Sequence, residues 1–96
     1  MDNSQKKLLY KLGLRVKECR NNKGLTLREL AYSIGKDPQS IHRLEVGGVN
    51  PSFIYLSEIC KVLDIDLKEL LEDFSEKILH SYITRLRIHL HLYTIN

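Results

Sequence analysis

The sequence predicts an all-α protein, in which a compact domain of five short helices is followed by a C-terminal extension. Apolar residues recur at helical spacing in successive segments, and each segment is introduced by a side chain that can cap a helix. The 96 residues, 43% hydrophobic and 28% charged, leave room for one core. We expect this domain over residues 1–73 and the extension over residues 74–96.

The first helix is expected to open at Ser4 and to continue to about Asn22, before Gly24 ends it. Basic residues of this segment, Arg15 among them, are assigned to its surface. The apolar stripe that faces the core is expected to consist of Leu8, Leu12, Val16 and Cys19.

A second, shorter helix is expected from Leu27. Thr26 can cap it, and Glu29, three residues further on, completes a capping box. Gly35 follows where the helix should stop, and glycine readily adopts the left-handed conformation that a tight turn needs.

The third helix is expected to follow this turn at once. Asp37 can cap it, and Pro38 suits its first position, where a missing amide costs nothing. Ile41 and Leu44 point one way, which leaves the polar residues for the outside. Two short helices joined by such a turn are typical of a helix-turn-helix, whose second helix enters the DNA major groove.

Two further helices complete the predicted domain. Ser52 is the expected cap of the fourth, and Asp66, with Glu69 three residues on, is expected to cap the fifth. Leucines of the fifth helix close the core. The apolar stripe of the fourth helix is expected to contain Phe53, Leu56, Ile59, Cys60 and Leu63.

Within the extension, polar and apolar residues alternate over residues 85–92, which favours a strand. A lone strand needs a partner for its backbone, so pairing with a second copy is the natural solution. A helix that continues to Tyr93 is the alternative. Either element would dimerise the chain, and its expected contact residues are Leu86, Ile88, Leu90 and Leu92.

From about Leu12 to Leu71 the chain resembles the Cro and phage-repressor class of helix-turn-helix domains, also called the xenobiotic-response-element family. The resemblance implies a lambda-repressor-like fold and binding to double-stranded DNA. It also implies an ion pair between Arg20 and Glu45 that sets the angle of the reading helix. The residues that carry it are Arg20, Gly24-Leu25-Thr26, Glu29-Leu30-Ala31, Gly35, Ser40-Ile41, Arg43-Leu44-Glu45, Gly47 and Pro51.

Base reading is expected at the exposed start of the third helix. Gln39 can pair with adenine through two hydrogen bonds, and Arg43 with guanine or with a phosphate. Ser40 can serve either role. Pro38 stands where phage relatives often carry Gln, and it offers only apolar contact, for example with a thymine methyl group.

Phosphate contacts are expected from Thr26, Arg28, His42 and Asn50. The loop that contains Gly48 and Val49 is neutral where relatives often carry Lys or Arg, which predicts weaker non-specific affinity. Residues 1–43 contain ten Lys or Arg against four Asp or Glu, whereas residues 44–96 contain five against eight. A basic front half is compatible with phosphate binding, although the excess is modest, and solvated helix faces are the alternative.

Other classes of protein find little support. No catalytic motif is visible, so we expect no enzyme and no cofactor, and the histidines lack companions at metal-ligand spacing. Cys19 and Cys60 are expected to be small buried hydrophobes. With neither a long apolar run nor a secretory signal, a cytoplasmic protein is expected.

These features predict a transcriptional regulator, most simply a repressor, that binds operator DNA as a homodimer. Two alternatives remain open from the sequence. The same domain could belong to an antitoxin whose extension neutralises a toxin, or to a protein-interaction module that has lost DNA binding.

Overall fold

A computed structural model of the chain describes residues 2–71, and within this range it contains five helices and no strand. The all-α prediction is therefore confirmed for the part described. The expected dimerisation residues Leu86, Ile88, Leu90 and Leu92, and the predicted domain boundary, lie outside the described residues. The helices are α1 (Asn3–Asn22), α2 (Leu27–Ser33), α3 (Pro38–Glu45), α4 (Phe53–Leu63) and α5 (Leu67–Leu70).

Every helix begins with a side chain that accepts a hydrogen bond from a backbone amide of its first turn. Four of these caps match the expectation: Thr26, Asp37, Ser52 and Asp66. The expectation for α1 is wrong, because Asp2 rather than Ser4 caps it and forms a capping box with Gln5. The Ser4 hydroxyl donates to the same Asp2 carboxylate, 2.8 Å away. A carboxylate can accept both bonds at once, which favours the earlier start.

The turn between α2 and α3 has the expected left-handed residue, since Gly35 has φ 69°. The Gly35 amide donates to the Tyr32 carbonyl, and the Lys36 amide donates to the Ala31 carbonyl at 2.8 Å. These two bonds form a Schellman motif, which satisfies carbonyls that the end of a helix leaves free. The chain then enters α3 through its cap, Asp37, so the turn has little freedom.

The core lies between the helices and draws on all five of them. Its buried apolar residues are Leu12, Val16, Cys19, Leu30, Ala31, Ile41, Leu44, Ile59, Cys60, Leu63 and Leu70. Both cysteines are buried and form no disulfide with each other, as small hydrophobes would be. None of the described helices has the length and apolarity required to cross a membrane.

Phe53 is a correction to the expected core. The sequence pattern assigned it to the buried stripe of α4, yet 69% of it is exposed. Cys60 lies on the same side of α4 two turns later and is buried. Helical periodicity identifies the side of a helix that faces inward, but it does not say how far along the helix the core extends.

Arg15 is a second correction, since it is not a free surface cation. Its Nε donates to the Leu70 carbonyl and its Nη2 to the Glu69 carbonyl, both at 2.8 Å. The side chain also approaches Glu18 at 3.3 Å and is only 13% exposed. Arg15 thereby ties α1 to the C-terminal end of α5, where a positive charge is favourable.

α1 and α3 approach each other closely at Gly13. This glycine is buried in α1, and a Cβ atom there would collide with the backbone carbonyls of Leu44 and Glu45. Gly47, just beyond α3, is equally restricted, because its Cβ would lie 2.8 Å from the Cα of Tyr10. The end of α3 is therefore seated directly on the backbone of α1.

Candidate nucleic-acid interface

α3 has one buried face and one open face. Ile41 and Leu44 have 0% and 1% of their surface exposed and anchor the helix in the core. Gln39, His42 and Arg43 are exposed on the opposite side, as expected of a helix that reads DNA. Pro38 is partly exposed at the first position of the helix.

A buried ion pair joins the last residue of α3 to α1. The Arg20 Nε donates to the Glu45 Oε2 at 2.7 Å, and Nη2 donates to Oε1 at 3.0 Å. The remaining nitrogen, Nη1, donates to the Leu25 carbonyl at 2.7 Å. Such a bidentate bond constrains direction as well as distance. Arg20 therefore links α1 both to the end of α3 and to Leu25, just before α2.

Asp37 and Ser40 form a compact cap at the start of α3. The Asp37 carboxylate accepts from the Ser40 amide at 2.8 Å and from the Ser40 hydroxyl at 2.9 Å. These bonds lower the pKa of Asp37, with smaller contributions from the charges of Arg43 and Lys36. The Ser40 hydroxyl thus uses its proton within the protein, and only its lone pairs remain for a base edge.

The start of α2 has a reciprocal cap. The Thr26 amide donates to the Glu29 Oε1 at 2.9 Å, and the Glu29 amide donates to the Thr26 hydroxyl at 3.0 Å. The hydrogen bonds from Thr26 lower the pKa of Glu29, so its carboxylate stays charged. The Thr26 amide is already engaged, and the adjacent negative charge opposes a phosphate. Of the expected contacts here, the Thr26 hydroxyl is also engaged with Glu29, and the exposed Arg28 side chain remains open.

The other expected phosphate contacts occupy two places. Asn50 is exposed in the loop between α3 and α4, and His42 is exposed on α3. His42 also lines a groove of about 300 Å³ between α1 and α3, together with Tyr10, Leu14 and Val46. The expected phosphate contacts therefore come from the start of α2, from α3 itself and from the loop that follows α3.

Sequence reasoning did not assign Lys36 or Tyr55 to the site. The Lys36 ammonium lies 5.4 Å from the centre of the Tyr55 ring, at the turn that precedes α3. Lys36 directly precedes Asp37, the cap of α3, and this position in the sequence is a signal that could have identified it. Tyr55 belongs to α4, and no local pattern relates it to the turn. Residues 2–71 offer no cluster of His, Cys, Asp or Glu side chains suited to a metal ion.

Comparisons with known proteins agree with this architecture. The family model described as helix-turn-helix matches residues 16–70, more than half of the chain. No curated protein is recognisably similar in sequence. Several solved structures resemble the chain, among them the following three.

Two of these structures are of the clp gene regulator ClgR from Corynebacterium glutamicum. One is 33% identical, with a TM-score of 0.65, and its alignment covers 67% of this chain and 82% of the regulator chain. The other is 26% identical, with a TM-score of 0.67, and its alignment covers 88% of this chain and 94% of the regulator chain.

The third structure is the restriction-modification controller protein C.AhdI from Aeromonas hydrophila. It is 32% identical with a TM-score of 0.66, and the alignment covers 72% of this chain and 99% of the controller protein. The match of the family model, the five-helix architecture and the open face of α3 lead to one conclusion. The chain belongs to the helix-turn-helix family of the xenobiotic-response-element type and is a DNA-binding transcriptional regulator.

Proposed function

We propose that this regulator is a repressor that binds operator DNA as a homodimer, with α3 of each copy in one major groove. The observation that carries the proposal is the division of α3 into a buried apolar face and an exposed face with Gln39, His42 and Arg43. The similarity to a clp gene regulator and to a restriction-modification controller supports a role in gene control.

Gln39 and Arg43 are the proposed base-reading residues. Gln39 lies in the first turn of α3, where the recognition helices of this motif contact base edges, and its amide matches adenine. Arg43 lies one turn later and matches guanine through two hydrogen bonds. Ser40 would accept a single bond, and Pro38 would contribute apolar contact.

Phosphate contacts would fix the register of α3 without reading sequence. Arg28 is the proposed contact on the α2 side, with Asn50 on the α4 side. His42 would contribute from α3 itself. Because Glu29 keeps a negative charge at the start of α2, we expect modest affinity for non-specific DNA.

Dimerisation would place two copies of α3 on half-sites about 34–36 Å apart, one turn of the DNA helix. We assign it to the extension, through Leu86, Ile88, Leu90 and Leu92. Repression would follow from occupation of a promoter, which requires no further domain.

The direct test measures binding of the full chain to a pool of random duplexes. Fluorescence anisotropy reports the affinity at each salt concentration of a series. We expect affinity to fall steeply as salt rises, and to weaken in Arg43→Ala. Lys61→Ala, which removes an equal charge from the last turn of α4, serves as the matched control. Affinity that is negligible at low salt would overturn the proposal and would favour a protein partner instead.

Operator sequences selected from that pool then test dimerisation and repression. Sedimentation of the protein–DNA complex should give two chains per duplex, and footprints should show two half-sites related by a two-fold axis. A reporter gene downstream of the operator should be silenced. A single chain on an undivided site would contradict the homodimer, and increased reporter expression would contradict repression.

A further inference from the structure

The backbone of Lys36 is held from both directions. Its amide donates to the Ala31 carbonyl at 2.8 Å and so completes the end of α2. The next residue, Asp37, is the cap of α3. Lys36 therefore has a defined position beside the first turn of the reading helix, although its side chain is exposed.

The Lys36 side chain is held as well. Its ammonium lies 5.4 Å from the centre of the Tyr55 ring, within the range of a cation–π interaction. An aromatic face attracts the ammonium without replacing a hydrogen-bond acceptor, so the three N–H donors remain available. A cation whose side chain is restrained and whose donors are free is well suited to a phosphate oxygen, because less conformational freedom is lost on binding.

Tyr55 contributes its ring rather than its hydroxyl. The hydroxyl group is buried, and it neither donates nor accepts a hydrogen bond within residues 2–71. Burial raises the pKa of Tyr55, and the nearby charge of Asp37 raises it further, so the phenol stays neutral. The face of a neutral ring is then the part of Tyr55 that acts on Lys36.

The positive charge of Lys36 also offsets a negative charge at the start of α3. The Asp37 carboxylate lies at the end of the helix that enters the groove, where it would repel phosphate. Lys36 and Arg43 are close enough for their charges to lower the pKa of Asp37. Since Arg43 is a base-reading candidate, Lys36 is the charge left to offset the cap.

We propose that Lys36 binds a DNA phosphate beside the first turn of α3, and that Tyr55 is the positioning residue that holds its ammonium there. This role rests on the proposed use of α3 as the reading helix. It adds a phosphate contact at the turn, between those expected from α2 and from the loop before α4.

The test measures DNA affinity over a salt series for Lys36→Gln, Lys36→Arg, Tyr55→Leu and Tyr55→Phe in the full chain. Lys36→Gln should weaken binding several-fold, equally for all sequences, and reduce the salt slope by about 1. Tyr55→Leu should cause part of this loss. The two conservative variants should bind like the original protein, because Arg still carries the charge and Phe keeps the ring.

A double variant distinguishes positioning from a general structural effect. Tyr55→Leu should cause no further loss of affinity once Lys36 is already Gln, since the ring would have no cation left to hold. Additive losses would overturn the role of Tyr55. Circular dichroism on each variant establishes that it is folded. Lys36→Gln should fold even if Tyr55→Leu does not, because the Lys36 side chain is exposed and is not part of the core.

The remaining outcomes separate this inference from the proposed function. An unchanged affinity and salt slope in Lys36→Gln, with weakened binding in Arg43→Ala, would overturn the role of Lys36 and leave α3 as the reading helix. Absence of salt-dependent binding by the original protein would overturn both.

Discussion

Arg20 and Glu45 form a buried, bidentate ion pair that joins α1 to the last residue of α3. Their side chains are only 8% and 4% exposed, and two hydrogen bonds of 2.7 and 3.0 Å connect them. Both charges are therefore largely removed from water. Each compensates the other, so the loss of either leaves an unpaired charge in a region of low polarity.

Arg20→Ala should destabilise the domain strongly, by about 3–5 kcal/mol, because Glu45 would remain buried without its partner. The free energy of unfolding from urea denaturation measures this effect. Lys17→Ala, an exposed cation on the same helix, is the control and should change stability by less than about 0.5 kcal/mol.

A paired replacement tests the physical reason for that loss. Arg20→Met combined with Glu45→Leu removes both charges and should be far less destabilising than Arg20→Ala alone. A loss below about 0.5 kcal/mol in Arg20→Ala would instead identify the pair as an ordinary surface contact.

Gly13→Ala should also destabilise the domain, by about 1–3 kcal/mol, because the new methyl group would force α1 away from the end of α3. Helix propensity alone predicts the opposite, since alanine favours a helix interior by about 1 kcal/mol over glycine. The two expectations differ in sign, so a comparison of thermal unfolding with the original protein decides between them. A stabilised variant would show that α1 and α3 can separate at Gly13 at little cost.

Asp37 should make stability sensitive to acid. Its pKa in the folded protein is lowered below the usual 3.8, chiefly by the bond from the Ser40 amide, so its carboxylate stabilises α3 above that pH. This contribution is lost as the pH falls through the lowered pKa, because the protonated carboxyl is a poorer acceptor.

Asp37→Asn provides the matched comparison, since asparagine caps a helix equally well and does not titrate. Melting temperatures should be similar at neutral pH, and the variant should lose less stability between pH 5 and about pH 2. The variant will still respond to acid, because Asp2 and Glu29 have lowered pKa values as well. Parallel losses in the two proteins would exclude Asp37 as a source of the acid response.

Local signals predicted most of the helix boundaries. Thr26, Asp37, Ser52 and Asp66 cap helices as expected because capping depends on residues only three positions apart. Gly35 marks the turn for a similar reason, since left-handed geometry is a property of a single residue. The expected cap of α1 is wrong by two residues, because Asp2 and Ser4 are both capping candidates and lie close together.

The interactions that position α3 involve residues far apart in the chain. The structure brings Arg20 and Glu45 together, 25 residues apart, a pair that only family resemblance suggested. The contact of Gly13 with the end of α3 and the contact of Lys36 with Tyr55 have no local signature at all. The sequence pattern assigned Arg15 to the surface, because nothing local indicates that it donates hydrogen bonds to the carbonyls at the end of α5.

By itself the sequence determined the five helices, their caps and the apolar side of each one, because these depend on periodicity and on neighbours within one or two turns. It also identified which residues of α3 would be left outside. The tertiary structure alone decided how deep the core reaches, which leaves Phe53 exposed, and which charges are engaged within the protein. Both depend on how helices pack against one another, and packing joins residues whose separation in the chain carries no pattern.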